Sequence, residues 1–176
     1  QLTTDGVTLD LKSTATVDVD TAQTFGGLFG SSTAATLDVT DAGITLQQED
    51  DTTYLGGFSG ANTITKQGGG SLIIDAGAAT ALNADQIDVS AGGFGVNTSS
   101  APGNVNYSAV NGAFNQSGTD IDFTKGGSGT LTLDIANDWD GNTKVSGGTL
   151  QLDTDLTSPG IEGTEETASI NLNGGN

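Results

Sequence analysis

Twelve residues of this chain recur without a gap. Phe123-Thr124-Lys125-Gly126-Gly127-Ser128-Gly129-Thr130-Leu131-Thr132-Leu133-Asp134 align on Ile64-Thr65-Lys66-Gln67-Gly68-Gly69-Gly70-Ser71-Leu72-Ile73-Ile74-Asp75, 59 positions earlier. A second block follows at a shift of 56: Val145-Ser146-Gly147-Gly148-Thr149-Leu150-Gln151-Leu152 on Val89-Ser90-Ala91-Gly92-Gly93-Phe94-Gly95-Val96. Tyr54-Leu55-Gly56-Gly57-Phe58-Ser59-Gly60 leads into the first copy and Val110 to Gly118 into the second. Phe25-Gly26-Gly27-Leu28-Phe29-Gly30 reads as an earlier relative. Self-similarity at this period marks an array of supersecondary units, each burying its apolar face against its neighbours. If one coil takes roughly 20–25 residues, near the low end for solenoids, each long repeat is two to three coils.

The local pattern says what the units are made of. Short runs alternate with period two, as in Val7-Thr8-Leu9-Asp10-Leu11, Thr36-Leu37-Asp38-Val39, Ile87-Asp88-Val89, Leu131-Thr132-Leu133 and Ile170-Asn171-Leu172. Each is bounded by Gly, Asn, Asp or Ser, and no stretch keeps the spacing of a helix. Only 34% of the residues are hydrophobic, a content that verges on disorder unless the apolar side chains share one face. Here Leu, Ile and Val face one way and Thr, Asp and Asn the other. A flat sheet of so many strands would expose its edges, whereas a coil stacks each turn on the last and encloses a continuous core. The predicted fold is all-β, a right-handed parallel β-helix (β-solenoid) spanning 1–176 as one segment. It is read as a fragment or unit of a longer array, with repeats over 54–96 and 110–152.

The second copy carries a resemblance. Lys125 through Leu133, then Asn137-Asp138-Trp139-Asp140-Gly141-Asn142-Thr143, then Val145 through Leu152 resemble the autotransporter-associated β-strand repeat. That repeat has a lysine, spaced glycines, Thr-Leu-Thr-Leu, an Asn-Thr-Tyr-Thr-Gly turn, a strand and Gly-Thr-Leu. Trp139 stands where it usually has Tyr, and Asp138 and Asp140 where it usually has Thr. The first copy keeps Lys66, Gly68 and Gly70 but lacks the aromatic turn. The resemblance covers residues 54 to 175 and, more loosely, 25 to 53. It implies a passenger exported through an outer-membrane barrel and exposed at the cell surface or released, with the repeat serving passenger folding and transport rather than catalysis. The residues it marks as structural are Lys66, Gly68, Gly70, Lys125, Gly127, Gly129, Trp139, Gly141 and Gly148.

Charge narrows the partners. With 22 acidic residues against four lysines, the net charge is −18. Such a surface repels nucleic acid and anionic lipid, and no apolar run is long enough for a membrane helix. There is no Cys to form a disulfide, and no His to act as general base or metal ligand. The pairs Asp18/Asp20, Asp120/Asp122 and Asp153/Asp155 each set two carboxylates on one side of a strand. A glycosidase would need such a pair facing across a sugar-binding groove, and groove aromatics are scarce. Ca²⁺ is the one cofactor candidate, and its best oxygen cluster is Asp134, Asp138, Asp140 and Asn142. Gly126-Gly127-Ser128-Gly129-Thr130-Leu131 has the glycines of a calcium nonapeptide but Leu131 where Asp belongs. Gly68-Gly69-Gly70 lacks the Lys-Ser/Thr and the helix of a phosphate loop. Phe25, Phe29, Tyr54, Phe58, Phe94 and Phe114 read as core or corner stacks, and Trp139 as a corner cover.

The expectation is therefore a structural or adhesive passenger segment and not an enzyme. It would act outside the cell or at its surface, by binding a host-cell or surface ligand or by self-association through coil ends or faces. The alternatives are a unit of an extracellular filament or matrix, and a polysaccharide-degrading or tailspike-like β-helix enzyme.

Overall fold

A computed structural model describes residues 6–75, 86–98, 105–106, 113–116, 118, 121–133, 141–152, 160–163 and 169–172. For 105–106, 113–116, 152, 160–163 and 169–172 it describes the backbone alone. Among these residues there are 20 strands and no helix. In chain order they are β1 (Thr8–Asp10), β2 (Thr16–Asp18), β3 (Gln23–Phe25), β4 (Gly27–Phe29), β5 (Thr36–Asp38), β6 (Ile44–Gln47) and β7 (Thr52–Tyr54). Next come β8 (Gly57–Ser59), β9 (Thr63–Gln67), β10 (Ser71–Asp75), β11 (Gln86–Val89), β12 (Gly93–Asn97), β13 (Val105–Asn106) and β14 (Ala113–Gln116). The last are β15 (Asp122–Gly126), β16 (Thr130–Leu133), β17 (Asn142–Val145), β18 (Thr149–Leu152), β19 (Gly160–Gly163) and β20 (Ser169–Leu172).

Every strand pairing is parallel, and each joins a strand to its counterpart one coil on. The chain is thus a β-solenoid with three faces. The first runs β1-β4, continues through the bridge Gly30↔Tyr54, and goes on as β7-β10-β12-β15-β17-β19. The second holds β2-β5-β8 and, further along, β13-β16-β18-β20; the third is β3-β6-β9-β11-β14. The step from coil to coil runs from 18 residues (Asn142↔Gly160) to 29 (Gly93↔Asp122). The widest steps, β12 to β15, β11 to β14 and β13 to β16, all fall in the middle of the chain, so the excess there is carried by the connections, not by the strands.

Alternation decides what lies inside. In β9 Ile64 and Lys66 are buried while Thr63, Thr65 and Gln67 are partly exposed, and in β10 Leu72 and Ile74 are buried. Register then stacks like on like: Val17, Leu37 and Phe58 on the second face, and Leu72, Phe94 and Phe123 on the first. Leu37, Ile74, Val96 and Leu131 are wholly enclosed. Each buried side chain of this size contributes about 1.5–3 kcal/mol, which offsets the backbone entropy that strands of two to five residues cannot recover alone. Tyr54 and Phe58 meet at the bend between the first and second faces, ring centroids 5.4 Å apart. The Tyr54 hydroxyl donates to the Gly57 carbonyl at 3.0 Å.

Phe25, Tyr54, Phe58 and Phe94 are buried as the sequence predicts. Phe29 is a correction: it is 38% exposed, because Leu28 takes the inward position of β4 and the next residue must point out. The Phe114 side chain lies outside the described residues.

Candidate functional site: glycine corners and their buried lysines

The recurring block is a corner. β9 enters, the chain bends at Gly68, Gly69 and Gly70, and β10 leaves. In the second copy β15 enters, Gly127, Ser128 and Gly129 bend, and β16 leaves. The two copies occupy different corners of the coil. The first joins the third face to the first, and the second joins the first face to the second. A shift of 59 residues is therefore not a whole number of coils. Strand, glycine bend and strand form a local unit that fits either corner.

Each corner closes over a lysine. Period two puts Lys66 on the inward side of β9, stacked between Leu46 and Val89, and Lys125 on the inward side of β15, between Val96 and Val145. Both side chains have no exposed surface. Lys66 Nζ donates to the carbonyls of Gly68 at 2.8 Å and Ala91 at 2.7 Å. Lys125 Nζ donates to Gly126 at 2.7 Å, Gly127 at 2.9 Å and Gly147 at 2.9 Å. In each case one acceptor belongs to the next coil. Among the described residues the one ion pair is the exposed Lys12 with Asp10, so carbonyl dipoles rather than carboxylates hold the two buried ammonium groups. Burial pulls the pKa of Lys66 down to about 8, opposed by Glu49 and Asp51. Burial alone pulls Lys125 down to about 8.

The glycines make room for this arrangement. Gly92 has φ +72°, and a Cβ there would collide with the Gly70 carbonyl and stand 2.6 Å from both the Gly68 carbonyl and Lys66 Nζ. Gly148, at φ +64°, would collide with the Gly129 carbonyl and stand 2.6 Å from that of Gly127. Only glycine combines that backbone with that clearance. Gly68, Gly70, Gly127, Gly129 and Gly148 all lie at corners between strands. Gly141 precedes β17 and is buried against the backbone of Ile121. Trp139 lies outside the described residues.

One corner residue was not singled out in the sequence. Gln48 is 2% exposed, accepts from the Leu28 amide at 2.9 Å and donates to the Asp50 carbonyl at 2.8 Å. It links its own corner to the preceding coil, where the lysines reach the following one. Its only signal is that it follows the inward Leu46 by two positions.

The carboxylates separate into those the structure brings together and those it does not describe. Asp134, Asp138 and Asp140 of the calcium candidate, with Asp120, Asp153 and Asp155 of the pairs, lie outside the described residues. Asn142 is exposed, and its backbone amide donates to Asp122 Oδ1 at 2.8 Å. Asp18 and Asp20 do share a side, and the next coil adds Asp41, with ligand oxygens all within 4.8 Å. Partial desolvation, then Asp20, Asp38 and Asp41, push the Asp18 carboxyl up from its usual range. Asp38 is held down by the Thr40 hydroxyl and amide, which donate to its Oδ1 at 2.6 and 2.9 Å. Asp41 could not be paired with Asp18 without the β2–β5 register.

Residues 123–152 match the passenger-associated-transport-repeat family. That stretch is β15 through β18, the corner of Lys125 together with the coil that closes it. No curated protein and no solved structure matches the chain. The chain therefore carries an autotransporter passenger repeat on a β-solenoid, the kind of repeat found in secreted or surface-exposed proteins.

Proposed function

From the passenger repeat at residues 123–152 we propose that this chain is a structural segment of an autotransporter passenger, and that its work is attachment to a surface or self-association rather than catalysis. The observation that carries this reading is where the matched residues lie. The lysine and glycines that define the repeat are spent on closing a corner, with their polar atoms turned inward, so the repeat builds the shaft and leaves the outer faces for contact. Those faces are regular. Thr24, Thr45 and Thr65 stand in register on the third face, and Asp18, Asp38 and Ser59 on the second. A ladder of like polar groups at strand spacing, about 4.8 Å, suits a repetitive partner such as a polymer surface or another solenoid.

The test uses the purified chain. Analytical ultracentrifugation over a wide concentration range, and retention on host-cell and bacterial surfaces under flow, should show assembly or retention. A screen on neutral and acidic polysaccharides should show no turnover. A chain that stays monomeric and washes off every surface contradicts the proposal. So does polysaccharide cleavage that is lost in Asp18→Asn.

A further inference from the structure

The two buried lysines do more than fill the core. A column of Leu46, Lys66 and Val89, or of Val96, Lys125 and Val145, would pack more cheaply with an aliphatic residue at the middle position, since a buried charge carries a desolvation cost. What the ammonium adds is a hydrogen bond across coils. Lys66 reaches its own corner at Gly68 and the next coil's corner at Ala91. Lys125 reaches its own at Gly126 and Gly127 and the next coil's at Gly147. The same geometry occurs twice, at two different corners, 59 residues apart.

We propose that Lys66 and Lys125 are coil latches: each ammonium makes all of its carbonyl bonds only when the following coil has docked, so a corner locks when its successor seats and adjacent coils open together rather than singly. Before docking, Lys66 has one of its two carbonyl acceptors and Lys125 two of its three. The glycine of the incoming corner is the matching part of the device, because Gly92 and Gly148 let the next backbone descend onto the preceding carbonyls. The latch rests on this geometry alone and holds whichever surface or partner the solenoid serves.

Hydrogen exchange followed by mass spectrometry on the full chain tests it. Lys66→Met keeps the bulk and removes the donor. Exchange should then speed up at both linked corners, Gly68 to Gly70 and Ala91 to Gly92, on the order of tenfold, the loss of about one net hydrogen bond. The Gly127 to Gly129 and Gly147 to Gly148 corners should be unchanged. Gly92→Ala leaves the lysine in place but keeps the next corner from seating, and it should loosen the Gly68 to Gly70 corner as well. Lys125→Met should produce the mirror result. Unchanged or slower exchange in Lys66→Met means a space-filling lysine and overturns the latch. Loosening confined to the lysine's own corner, or spread equally over the whole chain, overturns it too.

Discussion

At the scale of single residues, the buried lysines set a pH dependence whose sign follows from burial. Lys66 and Lys125 have folded pKa values of about 8 against an ordinary value of 10.5. Between those limits the unfolded chain holds more protons than the folded one, so stability rises with pH through the window. The cost of burying the ammonium is full below pH 8 and relieved above 10.5. Around Lys66 the facing charges are Glu49 and Asp51, which oppose the effect of burial without reversing it. Tyr54 works the other way. Burial raises its pKa above the ordinary 10.0, so the unfolded state ionises first and stability is lost at higher pH. Urea midpoints of the wild type relative to the double variant Lys66→Met/Lys125→Met should therefore shift in favour of the wild type between pH 7 and pH 9.5. A difference that is flat in pH contradicts the buried positions of these amines.

At the scale of strands and corners, packing and like-charge ladders make opposite predictions. Ile74 in β10 is fully enclosed, so Ile74→Ala should cost about 2–5 kcal/mol in chemical unfolding. Asp18 is exposed and crowded by Asp20, Asp38 and Asp41. Its folded pKa lies above the unfolded one, so the ionised form costs stability at neutral pH, and that cost disappears as pH falls through the folded value. Asp18→Asn should thus raise the melting temperature at pH 7 and leave it unchanged at pH 3; a lower melting temperature at pH 7 would contradict the crowding.

This is also the scale at which the sequence was most and least legible. Alternation in Ile64-Thr65-Lys66 and Leu131-Thr132-Leu133 marks strands with one buried face, because a side chain's face depends only on its parity, and the internal repeats turn those strands into a coil. The same parity places Lys66 and Lys125 inside. Only the stacked corners reveal the carbonyls that make burial of the two ammonium groups tolerable. Asp41 joining Asp18, and Gln48 bonding to Leu28, depend on which residues lie one coil apart. That step varies from 18 to 29 residues, and no local pattern states it.

At the scale of the whole molecule, the chain carries a net charge of −18. Self-repulsion along it is screened by salt over about 10 Å at 0.1 M, so raising ionic strength should raise the melting temperature, and divalent cations should do so more per mole. A melt insensitive to salt would mean that the outer carboxylates are spaced too widely to interact. The strands stack so that two of the four lysines point inward. Brief modification of the native chain with an amine-reactive reagent, read out by peptide mass spectrometry, tests that most directly. Lys12 and Lys144 are exposed and should be modified in the native chain, while Lys66 and Lys125, with no exposed surface, should stay unmodified until denaturant is added. Equal reaction at all four lysines in the native chain would contradict the solenoid and its closed corners.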